Sequence, residues 1–224
     1  MKSALIPTKS YDGIQAGIVA LLEAARSNAA RNVNALMTAT YWEIGRRIVE
    51  FEQGGAERAG YGQQLLKRLS FDLSARFGRG FGVVNLQQMR LFYMAWPGDE
   101  IYQTLSDKSD VRQIHQTPSD ESKTSPNIRT PSGELLPLPR LARAFPLPWS
   151  AYVRLLSVKA EGARRFYEPE ALRCGWSVRQ LGRQIDSQFY ERIALSRNKA
   201  RMLQKAEQAE PGDALTPEEG IRDL

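Results

Sequence analysis

The chain has 224 residues, 42% of them hydrophobic and 25% charged, with a net charge of +6. That length allows one or two domains and a buried core. It excludes a helical membrane span, because no apolar run approaches the ~18–20 residues a span needs. An internal disulfide is excluded too, because Cys174 is the single cysteine. A lone thiol and an amino terminus, MKSALIPTKSYDG, without a sustained apolar stretch make the cytoplasm the expected compartment, with no membrane partner.

The charge is concentrated. Residues 140–205 hold 14 basic and 5 acidic side chains, or +9, against +3 for residues 1–100, −1 for 101–139 and −5 for 206–224. A positive segment of this kind points to a polyanion, most often nucleic acid.

In chain order, residues 12–52 read as helix, with Asp12 as N-cap and Ile14, Ile18, Leu21, Leu22 and Ala25 at helical spacing. A second run, from Val33 to Ile48, continues the pattern. The polar stretch Ser27 to Asn32 is expected to kink or split it, and Gly54-Gly55 to end it. Gln63 to Phe77 and Val84 to Trp96 read as two further helices, closed by Pro97-Gly98.

Residues 97–139 are rich in Ser, Thr, Asp, Gln and Pro and read as a long, flexible polar insertion. It contains His115, the single histidine, which has no second metal ligand at a useful spacing. Ser150 is expected to cap a helix over 151–158. Another helix should run from about Glu161 to Arg173 and stop at Gly175, and Ser177 should cap a long helix from Val178 to Lys205. Without a convincing strand run, the fold class is all-α. Residues 206–224 read as a disordered acidic tail.

The stretch GRGFG, Gly78 to Gly82, raises the question of a phosphate-binding loop. A dinucleotide fingerprint needs GxGxxG after a strand, and a P-loop needs Lys then Ser or Thr after its last glycine. Here the spacing is GxGxG, a helix precedes it, and Val83-Val84-Asn85 follow. A glycine turn between two helices fits instead, a helix-turn-helix-like pair. Its second helix carries Asn85, Gln87, Gln88 and Arg90, side chains of the kinds that read adenine and guanine edges. Its many apolar residues also suit a core helix. Arg79, on the turn, suits a phosphate contact.

On the last helix Arg179, Arg183, Tyr190, Arg197 and Arg201 fall on one stripe, opposite Val178, Leu181, Ile185, Phe189 and Ile193. Such a stripe suits phosphates and carries no base code of its own. An ordinary solvated face, or pairing to a neighbouring helix, would account for the same pattern. Glu43, Glu50 and Glu52 lie beside one another on a helix and are expected to be solvated or paired with Arg46 and Arg47. There is no carboxylate–lysine cluster for metal-dependent phosphodiester hydrolysis, and no histidine to activate Cys174. No cofactor, metal or catalytic residue is expected in this chain.

Several motifs together resemble the N-terminal domain of the bacterial YhcG family. They are YWEIGR (Tyr41 to Arg46), YG (Tyr61-Gly62), GRGFG, the NL..MR..Y pattern from Asn85 to Tyr93, the WS..Y start at Trp149, and GWSVRQL (Gly175 to Leu181). The resemblance covers most of residues 12–205, with the insertion at 97–139. It implies a DNA-binding domain that a domain resembling PD-(D/E)XK nucleases normally follows. PEEGIRDL looks like the opening of the segment leading there, and no nuclease domain is expected within this chain.

The expected function is therefore a nucleic-acid-binding module, DNA in preference to RNA, that targets a nuclease. Arg79, Arg90, Arg179, Arg183, Arg197 and Arg201 would take phosphates, and Asn85, Gln87 and Gln88 bases. The rival is a helical protein–protein module that forms a homodimer or docks a partner nuclease. The long first helix and the aromatic residues Tyr41, Trp42, Phe51, Trp149 and Trp176 favour that rival.

Overall fold

A computed structural model describes residues 8–55, 59–99, 101, 105, 127–129, 135–196 and 198–206. The fold is all-α. Its helices are α1 (Thr8–Gly55), α2 (Ala59–Phe77), α3 (Val83–Ala95), α4 (Leu138–Leu141), α5 (Trp149–Leu156), α6 (Glu161–Cys174), α7 (Val178–Asp186), α8 (Phe189–Leu195) and α9 (Lys199–Ala206). A 3-10 turn, Ala142–Ala144, follows α4.

The polar insertion holds a feature the sequence reading missed. β1 (Asn127–Arg129) and β2 (Leu135–Pro137) pair antiparallel, with Ile128 opposite Leu136. Three residues per strand are too few to give the alternation by which a strand is read. Ile101 and Leu105 of that stretch are buried in the core, so it is not flexible and polar throughout. Apart from residues 97–99, 101, 105, 127–129 and 135–139, the insertion, His115 included, lies outside the described residues, as do residues 207–224.

The first helix is a single rod of 48 residues, about 72 Å long at 1.5 Å per residue. It starts at Thr8, so Asp12 is not its cap. It does not break at Ser27 to Asn32, because Arg31 bridges back one turn, to Ser27 Oγ at 2.7 Å and Asn28 Oδ1 at 2.5 Å. The polar side chains there close on one another and leave the backbone ladder alone. From Ala30 onward the rod packs on the body, whereas residues 11–26 are exposed on every face.

The contact that organises the body is the crossing of α1 and α3. A Cβ on Gly45 would stand 2.0 Å from the Met89 carbonyl oxygen and 3.2 Å from Tyr93 Cβ. The two backbones touch there, and only glycine permits it. Around the crossing the core is aromatic. Trp42 is fully buried and donates its Nε1 hydrogen to the Trp96 carbonyl at 2.8 Å. Phe92 lies at its centre, with ring centroids 4.8–5.4 Å from those of Trp96, Phe145, Trp149 and Tyr152.

The carboxyl-terminal part departs from the single long helix expected. Ser177 does cap α7, in a reciprocal box with Gln180, and Gly175 does end α6 in the left-handed conformation, at φ 63°. The helix then breaks at Ser187-Gln188, where Gln188 has φ 53°, and again before Asn198. The first break turns α8 so that the Tyr190 N–H donates to Tyr167 Oη at 3.0 Å, while the Tyr167 hydroxyl donates to the Gln184 carbonyl at 3.2 Å. The apolar period continues across the breaks, which hid them from a periodicity reading. Ser150 does not cap α5 either. Pro148 occupies the N-cap position, and Ser150 Oγ is buried without a hydrogen-bond partner.

The Gly45 crossing makes an unusual prediction of sign. Gly→Ala ordinarily strengthens a helix interior by up to ~1 kcal/mol. Gly45→Ala should instead cost about 3 kcal/mol in urea unfolding, as overpacking does. Gly17→Ala, on the same helix in open space, should leave the midpoint unchanged or raise it. A neutral Gly45→Ala would disprove the close crossing.

Candidate nucleic-acid interface

The GRGFG turn is built as a helix-to-helix joint. Gly78 (φ 83°) and Gly80 (φ 105°) take left-handed backbone, and the Gly78 N–H closes α2 on the Ser74 carbonyl at 3.0 Å. Arg79 sits between them and is exposed. Asn85 fastens the joint to the body: its Nδ2 donates to the Gly80 carbonyl, and its Oδ1 accepts from Trp149 Nε1 at 3.0 Å.

The other candidates on α3 divide sharply. Arg90 is held by Glu52 of α1 at 2.6 Å. Both Asn85 and Arg90 are thus engaged within the fold, and an outside contact would have to break those bonds. Gln87 is exposed and Gln88 half-buried. The outward face around Gln87 carries Val84, Leu91 and Met94, all exposed. The inward face, Leu86, Met89 and Phe92, is core. The helix therefore presents an apolar surface with one amide at its centre.

The basic stripe of the carboxyl-terminal segment does not survive the two helix breaks. Arg179 and Arg183 remain together, one turn apart and exposed on α7. Tyr190 leaves the stripe, since its ring packs 5.4 Å from that of Phe166. Arg201 is exposed on α9, and Arg197 lies outside the described residues.

A residue the sequence reading passed over joins the surviving pair. Arg154 of α5 lies across Gly182 of α7, its Nε 3.7 Å from the position a Cβ there would take. Its guanidinium makes no ion pair among the described residues. The absent side chain at Gly182 lets a guanidinium from α5 lie against α7, the helix that carries Arg179 and Arg183 on its exposed face. A glycine on a charged amphipathic helix was the available signal, but its neighbour in space comes from 28 residues earlier in the chain.

A second basic surface borders a cleft of about 360 Å³ between the end of α3 and α6, lined in part by Trp96, Arg143, Arg164, Arg165 and Glu168. Most of its charge is engaged locally. Arg165 pairs with Glu161 at 2.6 Å, and Arg164 donates to the Val158 carbonyl at 3.3 Å with its guanidinium carbon 5.9 Å from the Trp96 ring centroid. Glu168 receives Trp96 Nε1 at 2.9 Å and the Tyr152 hydroxyl at 2.8 Å. Burial raises its pKa above the ordinary carboxylate value, although both hydrogen bonds oppose the shift. Burial, followed by the neighbouring Glu168 charge, also pushes the Tyr152 hydroxyl well up.

Glu43 of YWEIGR is buried, 5% exposed. It accepts from Arg46 at 2.6 Å and Arg47 at 3.0 Å, as expected, while Arg46 also bonds Glu50. Glu52 differs, since its partner is Arg90. No group of three or more His, Cys, Asp or Glu side chains that could hold a metal occurs among the described residues. No helix among them is long and apolar enough to cross a membrane.

The family model described as the DUF1016 N-terminal domain matches residues 17–192. The chain is 55% identical over 216 residues to the protein named "Putative nuclease YhcG" of Escherichia coli (strain K12). The match takes in 96% of this chain and 55% of that relative, so the chain spans little more than half the relative's length. No solved structure matches.

The buried carboxylate gives a pH test. A carboxyl whose pKa is raised on folding favours the folded state below the unfolded value, 4.5. That contribution is lost as pH rises through the raised value. The stability of the wild type minus that of Glu168→Gln should therefore fall steadily between about pH 4 and 7, as read by urea unfolding at each pH. A difference that rises with pH would show that Glu168 is not desolvated.

Proposed function

The chain belongs to the DUF1016 N-terminal domain family, and from that membership we propose that it is the nucleic-acid-binding domain of a nuclease-type protein, holding double-stranded DNA in preference to RNA. The observation that carries this reading is that exposed Arg154 of α5 packs on Gly182 of α7, the helix that also carries exposed Arg179 and Arg183. Guanidinium groups on two packed helices suit the spaced, charge-dense phosphates of a duplex, and their rigid bases reduce the entropy lost on binding.

Arg79, on its glycine turn, is a second phosphate ligand in this reading, and Arg201 on α9 a third element of the surface. Gln87 is the exposed amide left to face bases. One amide amid Val84, Leu91 and Met94 supports a weak sequence preference at most. In this reading any hydrolysis belongs to the part of the YhcG protein that the match does not reach. This chain would place that activity on its substrate.

The test is fluorescence anisotropy of a labelled duplex across a salt series. Wild-type affinity should fall steeply with salt. Each lost phosphate contact flattens the log–log slope by about 0.9, so Arg154→Ala/Arg179→Ala/Arg183→Ala should flatten it by about 2–3. Gln87→Ala should change the ranking of duplex sequences and leave that slope unchanged. Absence of binding at low salt, or an unchanged slope in the triple variant, would overturn the reading.

A further inference from the structure

We infer that the cleft between the end of α3 and α6 is a site for a single unpaired nucleotide, its base laid against Trp96 and its 5′-phosphate on Arg143. None of Arg154, Arg179 and Arg183 lines this cleft, so it is a second site, apart from the duplex surface. The inference deepens the proposed function, and a strand end as the source of the nucleotide rests on that reading. The size of the cleft suits the ligand. About 360 Å³ lies at the small end of ligand pockets, ~300–1,000 Å³, with room for one flat ring system and a short charged group.

The stacking platform is fixed before any ligand arrives. Trp96 is half-buried at the end of α3. Its Nε1 donates to Glu168 at 2.9 Å, and its ring meets that of Tyr152 edge-on, at 5.4 Å between centroids and 87° between planes. An indole held in this way loses little freedom when a base stacks on it. Arg164 borders the ring with its guanidinium carbon 5.9 Å from the centroid, at the outer limit of cation–π contact and not stacked on it. Glu168 distinguishes a base from other flat ligands. Each of its oxygens accepts one hydrogen bond, from Trp96 or Tyr152, and a carboxylate oxygen can accept two. The remaining capacity suits the exocyclic amine of adenine, cytosine or guanine. Thymine has no such amine.

The phosphate has one arginine to take it. Arg165 is committed to Glu161, and Arg164 to the Val158 carbonyl. Arg143, on the 3-10 turn, is exposed and makes no ion pair among the described residues. An uncompensated guanidinium beside an aromatic wall suits a phosphate, which it can hold with two parallel hydrogen bonds. The same arginine borders a second groove with Arg31 of α1. Arg31 bonds only the neutral side chains of Ser27 and Asn28. A strand that continues from the bound nucleotide therefore meets a second arginine along that groove.

The proposal is tested on the whole chain in two arms. The first is isothermal titration calorimetry with deoxyadenosine 5′-monophosphate, thymidine 5′-monophosphate and inorganic phosphate, which reads the cleft without any duplex. The adenine nucleotide should bind at least about fivefold tighter than phosphate, the lower end of what stacking is worth, and about threefold tighter than the thymine nucleotide. Arg143→Ala should weaken it about tenfold, with an unchanged thermal transition because that side chain has no internal ion pair. The second arm is anisotropy with a duplex that ends in one unpaired 5′-phosphorylated adenosine, against the same duplex blunt-ended. The overhang should bind about fivefold tighter. Arg143→Ala should remove that difference, whereas Arg179→Ala/Arg183→Ala should weaken both duplexes and keep their ratio. Binding of the nucleotide without an overhang preference assigns the cleft to a free nucleotide, and an overhang preference assigns it to a strand end. An adenine nucleotide held no tighter than phosphate, together with no overhang preference, overturns the inference even if the duplex binds. Full nucleotide binding by Arg143→Ala overturns the placement of the phosphate. Failure of every duplex to bind overturns the proposed function instead and leaves the first arm to decide the cleft.

Discussion

The fold depends on one missing side chain. At Gly45 the rod α1 lies directly on the backbone of α3, and the neighbouring aromatic rings are positioned by that approach. Trp42, three residues before the crossing, can reach the Trp96 carbonyl because the helices are so close. Phe92, one turn beyond Met89, then falls where four other rings converge. If the helices were set apart by a methyl group, the tryptophan hydrogen bond and the ring stack would have to adjust together, since both span the same gap.

The polar groups around this core act as locks and leave few side chains for outside work. Glu168 gathers donors from Trp96, at the end of α3, and from Tyr152 of α5. Asn85 fastens the glycine turn to Trp149, and Tyr167 ties α7 to α8. A buried carboxylate with two neutral donors is expensive to hold, yet its geometry fixes three helices at one point. Arg154, Arg179 and Arg183 lie on elements aligned by these locks, so their placement is set by the core beneath them.

Much of the architecture was legible in the sequence, for identifiable reasons. The GRGFG turn, the Gly175 stop and the Ser177 cap depend on backbone chemistry local to a few residues, and local chemistry can be read locally. The pairing of Glu43 with Arg46 and Arg47 needed only helical spacing. What was missed was non-local or lacked a pattern. Gly45 stands inside YWEIGR, where a glycine in mid-helix already asks for a packing reason, but its partner, Met89, is 44 residues away. The breaks at Gln188 and before Asn198 kept the apolar period, so the expected arginine stripe rested on a helix that is three. For Arg154 the signal was Gly182, a glycine on another helix, and nothing in the sequence said which side chain would lie against it. Asn85 and Arg90 had the right chemistry for nucleic acid, and the fold gives both of them internal partners.

The rod is also a lever. Between Ala30, where the rod leaves the body, and Tyr11 lie 19 residues of uninterrupted helix, an arm of about 28 Å. A tilt of only about 10° at its base carries the tip through about 5 Å, half the width of a helix. The seat made by the Gly45 crossing and the contacts that follow Ala30 therefore governs where the distant end can reach. A substitution that merely loosened the crossing could leave every residue of the arm intact and still move its tip.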